Sequence, residues 1–359
     1  MIKKKLVALA MAAIMTLGLA ACGDGDSGAK EEKGTEEAVQ QETKKEEASE
    51  EQIVISVGYP DNPDTSHDKA CTLWKEKLEE MSGGTMTMQL YPSSQLGNTN
   101  DIIDQILAGQ PIITIADGAF YADRGAKDMG IVFGPYLFDN WEDCWKLVES
   151  DWWKEQCSLL ADLGLTIVAD NWVSGTRHTM TTFPVNKVED FKNKKIRVPD
   201  NTIQTKGFEA VGATATPMAL TDVYTALQQG TIDGVENPLH VLYANGFQEV
   251  AKYLVLDGHV LNFATWCTST DWYSTLTDEQ KKWLTDSGHE AGLYSQELAA
   301  DSDEVSLKAL KDAGVTVKEL TEEEKEAFRN EAISFYEDPD LTKQWSPDLY
   351  QTVRKAMGK

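Results

Sequence analysis

The chain has 359 residues, of which 41% are hydrophobic, and it carries a formal net charge of −26. That length and apolar content suffice for two lobes of ordinary domain size, which excludes a small disulfide-stapled scaffold. The acidic balance excludes nucleic acid as a partner, because phosphate binding needs a basic surface.

Met1-Ile-Lys-Lys-Lys5 is a basic start, Leu6 to Ala20 an apolar run, and Leu19-Ala-Ala-Cys22 closes it. This is the arrangement of an export signal, and the run is shorter than the ~20 apolar residues that span a bilayer. The LAAC tetrad resembles a bacterial lipobox, which implies that residues 1–21 are removed and that Cys22 becomes a lipidated first residue. From Gly23 to Glu51 there are eleven acidic residues and four lysines, with Val39 the only sizeable apolar side chain. Such a stretch cannot bury enough surface to offset its ordering entropy. Residues 22–51 therefore read as a lipid-bearing cysteine on an acidic, disordered tether.

The folded part begins at Gln52 to Val57, a β-branched run that reads as a buried strand, followed by the turn-rich Gly58-Tyr-Pro-Asp-Asn-Pro-Asp64. Ser66 can cap a helix carrying Ala70, Leu73, Trp74 and Leu78 at helical spacing. Thr85 to Tyr91 alternates as a strand, Asp101 to Ala108 is helical, and Pro111 to Ala116 is a strand again. This alternation predicts a mostly parallel sheet flanked by helices. Ligands of such sheets bind outside the carboxyl ends of the strands, which makes Asp117 a candidate contact, although an ordinary Asp-Gly turn explains Asp117-Gly118 equally well. Trp141 to Leu160 reads as one tryptophan-rich helix, with Trp145, Trp152 and Trp153 assigned to the core. Leu165 to Asp170 is a strand leading into Asn171-Trp-Val-Ser-Gly-Thr-Arg177, expected to cross between lobes.

Lys195-Ile-Arg-Val198 places Ile196 and Val198 on one side of a strand and Arg197 on the other. Pro199 and Asp200 end it, so the guanidinium sits at the strand's carboxyl end. Five of the thirty-three basic side chains are arginine, and a guanidinium fork matches a carboxylate with two parallel hydrogen bonds. A surface arginine capping a strand is the alternative. Val250 to Leu256 and His259 to Thr270 read as strand, the latter long enough to cross back. Thr277-Asp-Glu-Gln280 is a capping box opening a helix whose apolar positions recur to Leu310, before Gly314. About thirty residues of helix span ~45 Å, enough to lie across both lobes. Thr321-Glu-Glu-Glu324 opens the C-terminal helices.

These pieces together resemble the solute-binding proteins of TRAP (tripartite ATP-independent periplasmic) transporters. The resemblance rests on Lys195–Pro199, Asp233-Gly-Val-Glu-Asn-Pro238, Pro217-Met218, Val223–Gly230 and Tyr91-Pro-Ser-Ser-Gln-Leu-Gly97. It implies that Arg197 clamps a ligand carboxylate, that Arg177 assists, and that Asn237 completes the site. Asp117 matches an acidic position of the sialate-binding members, and Trp172, Thr216, Met218 and Leu220 are expected on the walls. Leu220 replaces an aromatic residue, and Asn98 and Thr99 replace acidic ones, which departs from the sialate pattern and leaves dicarboxylates, uronates and other sugar acids.

The chain lacks GxxxxGK[ST], GxGxxG, HExxH and GxSxG motifs. His67, His178, His240, His259 and His289 are scattered, with His178 expected to be structural. Cys71, Cys144, Cys157 and Cys267 include no CxxC pair. Neither set reads as a metal site, no cofactor is expected, and the thiols read as buried and free. The rival function is a secreted, lipid-anchored hydrolase or lyase acting on an acidic carbohydrate, but the convergent groups bind anions and do not transfer protons. The expected architecture is a two-lobed α/β periplasmic-binding-protein-like fold with a central cleft, crossing strands and a long helix spanning both lobes. Its first lobe is residues 52–174 plus 263–302, and its second is 175–262 plus 303–359. The expected protein is a monomeric, non-enzymatic receptor, lipid-anchored to the extracytoplasmic face of the cell membrane, that passes a small organic acid to TRAP permease membrane subunits.

Overall fold

The computed structural model describes residues 52–359, so the expected leader, Cys22 and the tether lie outside the described residues. One sheet runs through the described part, made of β1 (Ile53–Gly58), β2 (Met86–Tyr91), β3 (Ile112–Ala116), β4 (Leu165–Thr181), β5 (Lys195–Val198), β6 (Thr214–Pro217), β7 (Gly234–Pro238), β8 (Tyr253–Ser269) and β9 (Thr316–Glu319). Its order is β2-β1-β3-β8-β4-β7-β5-β6, with β9 on β8. β1 pairs in parallel with β2 and β3, β5 with β6 and β7, and β8 with β9. Antiparallel pairing is confined to β3–β8, β4–β7 and β4–β8. The sheet is thus two parallel blocks joined by two long antiparallel strands.

Those two strands, β4 and β8, have 17 residues each. The strand expected at 165–170 and the crossing segment after it are one element, and β8 likewise unites the stretches expected around 250–256 and 259–270. Their mutual register shifts at four places, from Ile167/Ala169 to Arg177/Thr179. Bulges bend a strand and re-aim its side chains, so the backbone curves where it passes between blocks.

Each block has its own core on both faces. Trp74, Trp172, Trp266 and Leu284 pack on one side of the first block, and Ile103, Met129, Trp153 and Phe263 on the other. Met180, Val235, Leu242 and Leu310 fill one side of the second, and Ile196, Phe208 and Phe328 the other. The result is two lobes. A 35-residue helix, Asp278–Asp312, opens with the Thr277–Gln280 capping box and lends Leu284 and Ala291 to the first lobe and Leu310 to the second.

Three expectations are corrected. The tryptophan-rich segment is two helices, Trp141–Glu149 and Asp151–Asp162, because Ser150 is extended and its hydroxyl caps the second by accepting from Trp153 N. Cys144 and Cys157 therefore lie on different helices, and the four cysteines of the described residues are free. Thr65, not Ser66, caps the first helix. The C-terminal stretch divides between the lobes: Phe328 enters a second-lobe core, but Phe335, Leu341, Leu349, Val353 and Met357 join the first-lobe core beside Leu147 and Trp153. Leu349, Val353 and Met357 recur at helical spacing, and that apolar stripe finds its complement on the first lobe.

Candidate functional site

Strand alternation sends Ile196 and Val198 into the second-lobe core and turns Arg197 to the opposite face. β5 pairs with β6, and beyond their register Met218 N–H donates to Val198 O at 3.1 Å. The carbonyl of the same Met218 accepts from Arg197 Nε at 3.0 Å and Nη2 at 2.6 Å. The ladder thus fixes one edge of the guanidinium. Its Nη1 is buried without a hydrogen-bond partner, in a residue only 3% exposed. Burial pulls Arg197 down to about 10, with Arg177 adding to the pull and Glu236 opposing it. It stays charged at neutral pH, and a buried cation with an unmet donor is destabilising until an acceptor arrives.

Arg177 stands in a different state. On β4 it faces Pro238 of β7, and its Nε and Nη2 donate to the two carboxylate oxygens of Glu236 at 2.6 and 2.7 Å. Nη1 donates to Asn262 Oδ1 at 3.0 Å. Behind this pair, Glu236 lies 3.1 Å from His259 Nε2, whose Nδ1 is 3.3 Å from Asp257. Asp257 accepts from Thr179 at 2.7 Å. Burial opposes every charge in this row, but mutual attraction wins and leaves Glu236 at about 2 and His259 at about 9. The charge of Arg177 is therefore neutralised by the protein itself, whereas that of Arg197 is not. His178 accepts from Gly258 N at 3.0 Å and is structural.

These groups open on a cavity of about 150 Å³ between the lobes, room for a small molecule and not for a polymer. Its lining brings together Arg177, Arg197, Asn237, Asp117, Met218 and Leu220 of the expected residues, and adds Asp61, His67, Asn98, Ser174 and Asn262. Asp117 ends β3 and caps the helix Gly118–Asp123 by accepting from Ala119 N at 2.9 Å. Burial raises its carboxyl to about 6 despite that bond and the attraction of Arg177. Gly118 is required there, because a Cβ would meet the Met129 carbonyl oxygen at 2.0 Å. Hydrogen bonds join the lobes, among them Asn100 Nδ2 to Asp200 O at 2.8 Å, Thr202 N to Asp123 Oδ2 at 3.0 Å, and Asn62 Nδ2 to Ala244 O at 3.2 Å. Closure of this kind excludes water and strengthens each polar contact inside.

Two expected wall residues lie elsewhere. Trp172 is 0% exposed and packs on Trp74 and Trp266, with Nε1 donating to Gly288 O at 3.0 Å. The register shift just before it turns the ring into the first-lobe core. Thr216, on the edge strand β6, is outside the lining and turns its hydroxyl back to Thr214 O at 3.3 Å. Glu236 and Asn262 were missed. The signal for Glu236 was its place beside Asn237 in the Asp233–Pro238 turn, since alternation directs the two side chains to opposite faces. Asp61 and His67, in a polar turn and a helix start, carried no motif.

A two-lobed α/β protein with a cationic, closed cleft is a solute-binding receptor. Residues 57–340 match the family described as bacterial extracellular solute-binding protein, family 7, and the chain belongs to that family, the receptors of TRAP transporters, and is not an enzyme. It is 29% identical over 280 residues to the C4-dicarboxylate-binding periplasmic protein DctP of Rhodobacter capsulatus, covering 77% of this chain and 84% of that one. To the sialic acid-binding periplasmic protein SiaP of Vibrio cholerae it is 30% identical, covering 74% and 81%. Among solved structures, a TRAP periplasmic solute-binding protein from Ochrobacterium anthropi with bound L-fuconate superposes with a TM-score of 0.81 at 38% identity, covering 85% of this chain and 99% of that one. Another from Actinobacillus succinogenes with bound L-galactonate gives 0.81 at 35% identity, with the same coverage.

Proposed function

We propose that this chain captures a small organic acid outside the cytoplasm through an arginine–carboxylate clamp and delivers it to TRAP permease membrane subunits. The observation that carries the clamp is the buried, unpartnered Nη1 of Arg197 facing a closed cleft. A ligand carboxylate there accepts from Arg197, takes support from the remaining Nη1 hydrogen of Arg177, and is oriented by the Asn237 amide. Met218 and Leu220 give the carbon chain an apolar wall, and Asp117 accepts from a ligand hydroxyl. Relatives that hold L-fuconate and L-galactonate support a sugar acid as the ligand.

The protein works as a monomer held to the membrane by lipid on Cys22 and spaced from it by residues 22–51. The lobes are 52–174 with 263–302, and 175–262 with 303–332, the last helices returning to the first lobe. A thermal-shift screen over organic acids tests the ligand class, because a ligand that binds only the folded state raises Tm with its saturation. Absence of a shift with every carboxylate, or recovery of a chemically altered ligand, overturns it. Mass spectrometry of the membrane-extracted protein tests the anchor: the mature N-terminus is a diacylglyceryl-modified Cys22, and Cys22→Ser releases the protein from the membrane fraction.

A further inference from the structure

Asp61 and His67 face the cavity from the first lobe and take no part in holding Arg177 or Arg197. His67 Nε2 lies 3.2 Å from the Val173 carbonyl and 3.5 Å from Ser174 Oγ, and Nδ1 lies 3.2 Å from Asp61 Oδ2. Both side chains are more than nine-tenths buried. One ring nitrogen thus faces a carbonyl and the other a carboxylate, a setting that favours the protonated ring. Burial disfavours both charges, but their attraction prevails, raising His67 and lowering Asp61. One carboxylate oxygen of Asp61 is thereby fixed and the other remains an acceptor.

The placement of this pair decides what it can read. β1, which leads into Asp61, and β5, which carries Arg197, are five strand positions apart in the sheet. The two groups therefore stand on facing walls, and a ligand gripped by Arg197 presents its far end to the wall of Asp61 and Asp117. The free oxygen of Asp61 accepts a hydroxyl hydrogen but has nothing to donate to a second carboxylate. Among the described residues lining this end, His67 is engaged by Asp61 and Arg177 by Glu236, so no cation is left there to pair with one.

We propose that Asp61, held by His67, is a hydroxyl-reading subsite, and that the ligand is a sugar acid with a single carboxylate and a hydroxylated far end, not a dicarboxylate. This rests on the receptor function proposed above, and the two can fail separately. Titration calorimetry of the purified protein compares four six-carbon acids: L-galactonate, galactarate, adipate and hexanoate. L-galactonate is expected to bind at least about 100-fold tighter than galactarate, which differs only in carrying a second carboxylate at the far end. Hexanoate, with one carboxylate and no hydroxyls, is expected to bind at least as weakly as galactarate. Asp61→Asn should weaken L-galactonate at least tenfold and narrow its advantage over galactarate, with His67→Gln as a second variant acting in the same direction. Galactarate or adipate binding as tightly as L-galactonate, or both variants keeping wild-type affinity and selectivity, overturns the subsite while leaving the receptor standing. Failure of every carboxylate to bind overturns both.

Discussion

Replacing Arg197 by Met removes the guanidinium and keeps most of the stem volume. Arg197 is 3% exposed, with one nitrogen unmet by the protein, and burial brings it down to about 10. At about 1.4 kcal/mol per tenfold, that drop corresponds to roughly 3 kcal/mol of unfavourable burial of the charge. A ligand carboxylate restores this through a charge-assisted pair, and truncating one partner of such a pair costs about 2–5 kcal/mol of binding. Affinity for the carboxylate ligand should therefore fall about 30- to 4,000-fold. The empty variant should not melt lower, because relief of the buried charge offsets the two hydrogen bonds lost to Met218, each worth about 1 kcal/mol. Arg197→Lys keeps the charge but loses the fork and should forfeit most of the affinity. Calorimetry gives the binding loss, and differential scanning fluorimetry without ligand gives the sign of the stability change. Wild-type affinity in Arg197→Met would refute the clamp. A fall of many degrees in the unliganded melting point would instead make Arg197 a structural residue.

Asp117→Asn keeps the cap on Ala119 N and removes a carboxylate that burial raises to about 6. A raised acid destabilises the folded state above its folded value and ceases to do so once both states are protonated. The variant should gain up to about 3 kcal/mol at pH 7.5 by chemical denaturation and almost nothing at pH ~3, where both states are protonated; an equal effect at both pH values would show another cause. His259, lifted to about 9, contributes stability in full below its ordinary value near 6.5 and loses it as pH rises through 9. The wild type should accordingly lose melting temperature from pH 7 to 9.5 more steeply than His259→Gln, and parallel slopes would contradict the buried ion row. Trp172→Ala should lower stability by about 3–5 kcal/mol through the cavity it leaves while changing ligand affinity less than threefold at a temperature where it stays folded. A selective loss of binding would return Trp172 to the site.

Periodicity and capping are local, so the sequence by itself determined the β5 strand that turns Arg197 away from the core and the long helix opened by Thr277. The family resemblance of the segments around them marked Arg177 and Asn237, and its place at a strand end marked Asp117. What only the tertiary structure decided depends on partners far away in the chain. Arg177 and Arg197 look equivalent as residues, yet Glu236 neutralises one and the Met218 carbonyl merely steadies the other, so a single cation is left to an anion. Trp172 and the Trp141–Leu160 break turned on a bulge and on Ser150, where one residue's backbone angles redirect everything after it. The Asp61–His67 pair carried no local signal: each is ordinary in its own segment, and their contact exists only once the folded first lobe sets the ring between the Asp61 carboxylate and the Val173 carbonyl.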